Sequence, residues 1–381
     1  MPTVVRSYSK INLGLAIGPP RADGFHSLST LYQTLALHDL LTVSATPAPE
    51  TRITLTCTDP RVPLDSRNTV WKMVEKALSR LGHRAEVTIH IQKNLPIQGG
   101  MGAGSANAAA ALIGLGKELK LEIPTKTQLA VAAEVGSDVP LFLLGGSVLG
   151  SDRGQAVMPV PDVSLAGSSQ IPCVIALPGR GVSTPQAFRD WDKRFNPDLH
   201  NAPIRDTLEE LSRTYASVFS YGEAHEKSGA SSIFSDPSPA SLAIRDQQDS
   251  PENLHGLSRE QHHTASASAS GSQATSGFEI DLAENSLLSL VRTGIENDFE
   301  TVVFLQYPLL REIKRYLMGS SEAENRAVYA ALSGSGSALF GLYRSRADAH
   351  AAQQRLQQHG VQAIVTSTLP RPLYWSNMFA E

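Results

Sequence analysis

The chain has 381 residues, 41% of them hydrophobic and 18% charged, a length and balance typical of two packed globular domains. Its net charge of −4 and pI near 6.3 provide no overall basic field, so the composition argues against a nucleic-acid partner. The two cysteines, Cys57 and Cys173, lack the paired spacing of zinc or disulfide sites. Because we find no signal-peptide pattern and no segment apolar enough to span a membrane, we expect a cytoplasmic protein.

The first predicted element is a strand at 4–17, in which apolar and polar residues alternate. Lys10 and Asn12 therefore point to the same face of this strand. Glycine and proline residues follow it and favour a turn, which we expect to bring Phe25 and His26 back beside Lys10.

Helices are predicted at 68–80 and 126–135 from their apolar spacing, and an alternating strand at 87–92. The segment LPIQGGMGAGSANAAA at 95–110 then joins a glycine-rich loop to an alanine-rich helix that begins near Ser105. The glycines permit positive φ and close approach of a ligand, and the helix presents free N–H groups. This order of strand, loop and helix is typical of an anion site.

The glycine loop differs from the common phosphate-binding motifs. No Lys-Ser or Lys-Thr pair follows the glycines as in a Walker A loop, and the spacing does not open a Rossmann unit. Taken alone, the segment is equally typical of a tight turn with close helix packing.

The second half of the chain begins with an apolar strand at 174–177, followed by turn residues. We place the domain boundary near 159–170, which gives an N-terminal domain at 1–160 and a C-terminal domain at 171–381. Polar and small residues dominate the stretch at 221–276. Its few apolar side chains cannot offset the entropy of ordering, so we expect a disordered insert there.

Three separated segments resemble the motifs of the GHMP kinases, named after galactokinase, homoserine kinase, mevalonate kinase and phosphomevalonate kinase. They are SKINL at 9–13, the glycine loop at 95–110 and LSGSGSALF at 332–340. The resemblance implies an α+β fold, in which the N-terminal domain is like ribosomal protein S5 domain 2 and the C-terminal domain is ferredoxin-like. It also implies ATP and Mg²⁺ as cofactors, although the sequence does not identify the metal ligands.

Four further segments resemble the branch of this family that phosphorylates the 2-hydroxyl of 4-diphosphocytidyl-2-C-methyl-D-erythritol, in the non-mevalonate (MEP) route to isoprenoid precursors. They are RADGFH at 21–26, GSDVPLF at 136–142, GVSTPQAF at 181–188 and ENDFE at 296–300. The substrate partner that the resemblance implies is thus a small cytidine diphosphate ester.

The chain departs from this branch at three positions of the glycine loop. The resemblance, which covers about 1–210 and 280–370, implies glycine where Gln98 and Ala103 stand and serine where Ala106 stands. Ala106 thereby removes a hydroxyl that can contact phosphate or the shell of a metal ion.

The resemblance implies roles for individual residues. Asp138 is implied as the general base and Lys10 as its cationic neighbour, because an ammonium favours both a carboxylate and a developing alkoxide. The implied ATP-binding residues are Pro96, Ile97, Gln98, Gly99, Gly100, Met101, Gly102, Ala103, Gly104, Ser105 and Asn107. The implied substrate-binding residues are Asn12, Phe25, His26, Thr184, Phe188, Ser333, Gly334 and Ser335. The aromatic rings of Phe25 and Phe188 are suited to stacking on a pyrimidine.

These residues also have structural interpretations. Asp138 precedes Val-Pro and is typical of a helix N-cap, whereas Lys10 can be a solvated lysine on an edge strand. Phe25 and Phe188 can be core residues, and His26 a structural histidine.

Two other functions remain open at this point. Another GHMP small-molecule kinase, acting on mevalonate, homoserine or a sugar, is disfavoured by the segment at 23–26, because those substrates have no nucleobase to stack. A non-catalytic nucleotide-binding protein has no physical need for both Lys10 and Asp138. The sequence indicates neither an oligomeric state nor a membrane partner.

Overall fold

A computed structural model of the protein describes residues 1–97, 99–195, 285–320 and 324–380. The predictions made for Gln98 and for the insert at 221–276 lie outside the described residues.

The described residues form two sheets, and the larger sheet has seven strands. They are β1 (Thr3–Pro20), β2 (His26–Pro47), β3 (Arg52–Cys57), β4 (Ala85–Gln92), β5 (Ser147–Ser151), β6 (Ala156–Pro159) and β11 (Phe379–Ala380). Five strands follow the order β11-β1-β2-β4-β3, while β5 pairs with β2 and β6 with β5. Among the strand pairs of this sheet in the described ranges, β3 with β4 is the one parallel pair. The end of the chain therefore returns to the sheet in which the chain begins.

The smaller sheet has four antiparallel strands in the order β10-β7-β9-β8. They are β7 (Pro172–Leu177), β8 (Tyr329–Leu332), β9 (Leu339–Leu342) and β10 (Gln362–Ser367).

Nine α-helices lie in the part of the chain that the structure describes, with one 3₁₀ helix at Pro140–Leu143. They are α1 (Thr69–Leu81), α2 (Ala103–Glu118), α3 (Thr125–Val135), α4 (Thr184–Phe195), α5 (Ser286–Arg292), α6 (Glu300–Gln306), α7 (Pro308–Met318), α8 (Arg346–Gln358) and α9 (Arg371–Ser376). None of the helices in these described ranges is long and apolar enough to cross a membrane.

Helix α2 packs closely on β1 and β2 because its inner face consists of small residues. A Cβ on Gly114 would lie 2.7 Å from Val43 Cγ2, so this approach requires glycine. Asn107, buried on the same helix, accepts a hydrogen bond from Ser7 Oγ of β1 at 2.6 Å. The close helix packing that the sequence suggested is therefore real, and it fixes the N-terminus of α2 relative to β1.

Candidate active site

Lys10 and Asp138 form an ion pair over β1. The Lys10 ammonium lies 3.3 Å from Asp138 Oδ2, and the lysine side chain is only 3% exposed. The same Nζ donates to Asn12 Oδ1 at 2.6 Å, and Asn12 donates in turn to Thr30 Oγ1 at 2.8 Å. The predicted shared face of Lys10 and Asn12 is confirmed, and Lys10 is buried and paired, not solvated on an edge strand.

Tyr32 joins this network from β2. Its hydroxyl donates to Asp138 Oδ1 at 3.0 Å, while the other carboxylate oxygen faces Lys10. Burial raises the pKa of Tyr32 well above its ordinary value, and the adjacent Asp138 charge raises it further. The phenol therefore stays protonated and remains a donor. Since 33% of the Asp138 side chain is exposed, the carboxylate is accessible to a ligand.

The interpretation of Asp138 as a helix N-cap is wrong. The 3₁₀ helix that follows has Val139 at its N-cap position, and no side chain caps it. Asp138 instead directs its oxygens at Tyr32 and Lys10, because two strong donors compete successfully for a carboxylate.

The glycine loop lines a cavity of about 390 Å³ at the N-terminus of α2. Every residue predicted to bind ATP lines this cavity except Gln98, which is not among the described residues: Pro96, Ile97, Gly99, Gly100, Met101, Gly102, Ala103, Gly104, Ser105 and Asn107. Three cationic side chains, Arg61, Arg67 and Lys93, line it too. A second cavity of about 960 Å³ shares Lys93 and Gly99 with the first and extends to 177–181.

Asp39 fixes the approach to the glycine loop. This fully buried carboxylate pairs with Lys93 Nζ at 2.5 Å and accepts from the backbone N–H groups of Asn94 and Leu95, each at 2.7 Å. The chain thus leaves β4 in one defined direction.

The serine-glycine segment at 333–337 packs directly against the glycine loop. Ser333 Oγ donates to the Gly100 carbonyl at 3.0 Å, and Ala338 N donates to the Gly99 carbonyl at 3.2 Å. A Cβ on Gly334 would lie 3.6 Å from Lys10 Nζ. Two segments far apart in sequence therefore meet at the ion pair.

The ENDFE segment holds this arrangement in place. Asn297 Nδ2 donates to the carbonyls of Leu332 and Gly334, both at 2.8 Å. Asp298 accepts from Ile17 N of β1 at 2.7 Å. The segment at 296–300 thus ties the serine-glycine loop to the strand that carries Lys10.

The predicted return of Phe25 and His26 to Lys10 is wrong. The turn joins the far ends of two long strands, so that His26 pairs with Pro20 whereas Lys10 pairs with Thr34. The error arises because β2, a strand of 22 residues that the sequence analysis does not predict, carries the chain back along the whole of β1, so that Thr34 and not His26 reaches Lys10. Phe25 and His26 form a separate end of the site, away from the ion pair along β1.

At that end, Phe25 is exposed and His26 is buried. Phe25 is 51% exposed, so it is not a core residue. The His26 ring stacks on Phe188 with ring centroids 5.0 Å apart, its Nδ1 donates to the Gly18 carbonyl at 3.0 Å, and its Nε2 lies 3.1 Å from Asp192 Oδ1. Both imidazole nitrogens therefore already face protein atoms.

Thr184 and Ser335, two further residues predicted to bind substrate, contact each other. Thr184, the first residue of α4, shares a hydrogen bond of 2.6 Å with Ser335 Oγ. The two residues thereby join α4 to the serine-glycine segment. Across the described ranges, no three His, Cys, Asp or Glu side chains cluster in a way that could hold a metal ion.

Sequence reasoning missed Tyr32 and Asp192. Tyr32 pairs directly with Asn12 in the β1–β2 register, so a correct register would have identified it. Asp192 lies four residues after Phe188, one helical turn further along α4, which is the spacing at which side chains share a face.

Family models match both halves of the chain. Residues 68–146 match the GHMP kinases N terminal domain and residues 279–362 match GHMP kinases C terminal. Among solved structures, a 4-(cytidine 5'-diphospho)-2C-methyl-D-erythritol kinase aligns over 96% of this chain and 98% of its own, with TM-score 0.58 and 21% identity. Homoserine kinase from Cytophaga hutchinsonii also gives TM-score 0.58, at 17% identity, over 97% and 96% of the two chains. The expected α+β GHMP kinase fold is confirmed.

Two curated relatives identify the branch of the GHMP kinases to which the chain is similar. The 4-diphosphocytidyl-2-C-methyl-D-erythritol kinase of Rhodococcus jostii is 43% identical over 50% of this chain, but the match covers only 60% of that relative's length. The enzyme of the same name from Solibacter usitatus is 30% identical over 90% of this chain and 81% of its own. The chain therefore belongs to the 4-diphosphocytidyl-2-C-methyl-D-erythritol kinase family of GHMP kinases.

Proposed function

We propose that the protein transfers the γ-phosphoryl group of ATP to the 2-hydroxyl of 4-diphosphocytidyl-2-C-methyl-D-erythritol, in the MEP pathway of isoprenoid synthesis. The observation that carries the proposal is the Lys10–Asp138 pair, placed where the glycine loop meets the serine-glycine segment. The family relatives of that name supply the identity of the acceptor.

Asp138 would remove the proton of the acceptor hydroxyl, since its carboxylate is partly exposed and held by two donors. Lys10 lies beside it with its charge directed at the developing alkoxide. Asn12 limits the movement of the ammonium, because the two side chains share a 2.6 Å hydrogen bond. These residues would position and deprotonate the acceptor oxygen. Catalysis of phosphoryl transfer consists mainly of such positioning and of charge stabilisation.

The residues of the 390 Å³ cavity fit a triphosphate. Gly100 and Gly102 have φ of +73° and +69°, so their backbone can form a cradle without Cβ atoms, and the N-terminus of α2 opens onto it. Magnesium bound with ATP would neutralise phosphate charge. Since the described ranges contain no cluster of metal-binding side chains, we propose that phosphate oxygens and water supply most of its ligands.

The cytosine ring would stack on the exposed face of Phe25 at the other end of the site. Gly18 and Asp192 already contact both nitrogens of the His26 imidazole, so we propose that this ring supports Phe188 and α4. Backbone groups would then make the hydrogen bonds to the edge of the nucleobase. Thr184, Ser333, Gly334 and Ser335 would flank the methylerythritol and diphosphate groups.

A substrate panel tests the proposal. Purified protein is incubated with ATP, Mg²⁺ and, separately, the cytidyl substrate, mevalonate and homoserine, and ADP release is followed. We expect turnover of the cytidyl substrate alone. Turnover of mevalonate or homoserine instead would assign the chain to another GHMP activity, and binding of ATP without any turnover would support a non-catalytic protein.

A further inference from the structure

Arg153 lies in the β5–β6 turn, between the two ends of the site. A Cβ on its neighbour Gly154 would lie 2.7 Å from the hydroxyl of Tyr32, which in turn contacts Asp138. The Arg153 guanidinium carbon itself lies 4.8 Å from the centroid of the Phe25 ring. The β5–β6 turn thus contacts both ends of the site, with Gly154 near Tyr32 and the Arg153 side chain beside Phe25.

Arg153 differs from the other cations of this region in having no carboxylate partner. Lys10 pairs with Asp138, and Arg21 pairs with both Asp23 and Asp152. By contrast, Arg153 has no ion pair with any described residue, and its buried Nε has no hydrogen-bond partner among them. A half-buried charge without a counter-ion is costly, so this guanidinium is suited to an anionic ligand.

We propose that the Arg153 guanidinium binds the diphosphate that links the nucleobase to the acceptor alcohol, an inference that rests on the proposed function. A planar guanidinium can donate two parallel hydrogen bonds to phosphate oxygens. A substrate with its nucleobase on Phe25 and its hydroxyl at Asp138 would carry its phosphates past the β5–β6 turn, where the Arg153 guanidinium lies beside Phe25. The guanidinium also covers one face of Phe25 and so directs the base to the other face.

Calorimetric binding of cytidine 5′-diphosphate and of cytidine separates this role from mere packing. A saturating non-hydrolysable ATP analogue is present throughout, so that the cytidine nucleotide cannot occupy the glycine-loop cavity. For Arg153→Met we expect cytidine diphosphate affinity to fall about 10- to 100-fold, the range for a lost charge-assisted pair, with cytidine affinity changed less than about threefold. For Arg153→Lys we expect an intermediate affinity for cytidine diphosphate, because lysine keeps the positive charge but cannot donate two parallel hydrogen bonds.

Two controls accompany the measurement. Arg346→Met removes the same charge from an exposed position on α8 and should leave both affinities unchanged. Phe25→Ala should weaken both ligands together. Equal binding of cytidine diphosphate by Arg153→Met and wild type, or an equal loss of both ligands in Arg153→Met, would overturn the inference while leaving the proposed function intact. Failure of wild type to bind either ligand would contradict the proposed function as well.

Discussion

Asp138 is held from two sides by donors of different character. Lys10 is a charged donor that also attracts the negative charge of the acceptor oxygen, whereas Tyr32 is a neutral donor with no such charge. The tyrosine therefore acts through the carboxylate: it fixes the rotamer and stabilises the ionised form by a hydrogen bond. It is a positioning residue, and its removal should lower kcat more than it changes substrate binding.

Tyr32→Phe tests this role with no change of shape. We expect kcat to fall about 10- to 100-fold, the cost of one hydrogen bond to a charged group, with KM nearly unchanged. Because the hydroxyl contacts the carboxylate and not the acceptor, the loss should appear in kcat and not in KM. A rise in KM with kcat unchanged would contradict this positioning role.

At the residue scale, alternation along β1 was sufficient to place Lys10 and Asn12 together, because strand periodicity is a local property. The partners Tyr32 and Asp192 required knowledge of strand register and of helix docking, which depend on distant contacts. Local preference alone indicates a helix N-cap for Asp138, and this interpretation is wrong. Its carboxylate instead contacts Lys10 and Tyr32, two donors that only the tertiary structure brings near it.

At the scale of single elements, the glycine loop and the serine-glycine segment, more than two hundred residues apart, depend on glycine at their contact. Gly100 has φ of +73°, and a Cβ there would lie 2.0 Å from the Ser333 carbonyl oxygen. Gly99 has no positive φ, and its nearest Cβ contact would be an ordinary 3.4 Å to Pro96.

These contacts predict opposite outcomes for two neighbouring substitutions. Gly100→Ala should lower the free energy of unfolding by at least about 2 kcal/mol, because it combines left-handed strain with a backbone clash. Gly99→Ala should change it by less than about 1 kcal/mol. Urea unfolding of both variants checks this, and equal stabilities would contradict the described loop contact.

Asp298 makes the link between β1 and the ENDFE segment sensitive to pH. Burial raises its pKa from 3.8 to about 6, and the charge of Glu296 adds to the effect, while the hydrogen bond from Ile17 N opposes it. Below its ordinary pKa, both the folded and unfolded states hold the proton. As pH rises through about 6 the folded state must accept a buried charge, so the stability contributed by the protonated carboxyl is lost.

Asp298→Asn should remove this dependence. Relative to the variant, wild type should lose about 2–3 kcal/mol of unfolding free energy between pH 4 and about pH 7, from a shift of roughly two pKa units. Exposed Glu122→Gln serves as the control and should show no such trend. A constant difference between wild type and Asp298→Asn across this range would contradict the assignment.

At the scale of the whole molecule, helix α9, near the end of the chain, supports the larger sheet. Arg371 of α9 donates from Nε to the Gly145 carbonyl at 3.1 Å and from Nη2 to the carbonyls of Ser147 and Val160, at 2.5 and 3.1 Å. Three backbone acceptors near β5 and β6 thus depend on one side chain more than two hundred residues away.

Arg371→Gln should therefore destabilise the protein globally. We expect a loss of about 2–4 kcal/mol in unfolding free energy, because partly buried carbonyls lose a charged donor. Arg346→Gln, on the exposed surface of α8, should be close to neutral. A thermal transition for Arg371→Gln that coincides with wild type would show that the chain end contributes little to the stability of the sheet.

The sequence could predict the α+β class and the two-part organisation because its motifs are short segments that occur in a fixed order along the chain. It could not predict the pairing of β11 with β1, because a strand of two residues has no recognisable pattern. The proposed boundary near 159–170 and the insert at 221–276 stay predictions.

The most direct test of the account is the rate of ATP-dependent phosphorylation of 4-diphosphocytidyl-2-C-methyl-D-erythritol by wild type and Asp138→Asn, with binding of an ATP analogue measured on the same preparations. We expect wild-type turnover, a fall of at least about a hundredfold in the variant as for the loss of a general base, and unchanged binding of the ATP analogue. Equal rates in the two proteins would contradict Asp138 as the base and, with it, the central role of the Lys10–Asp138 pair.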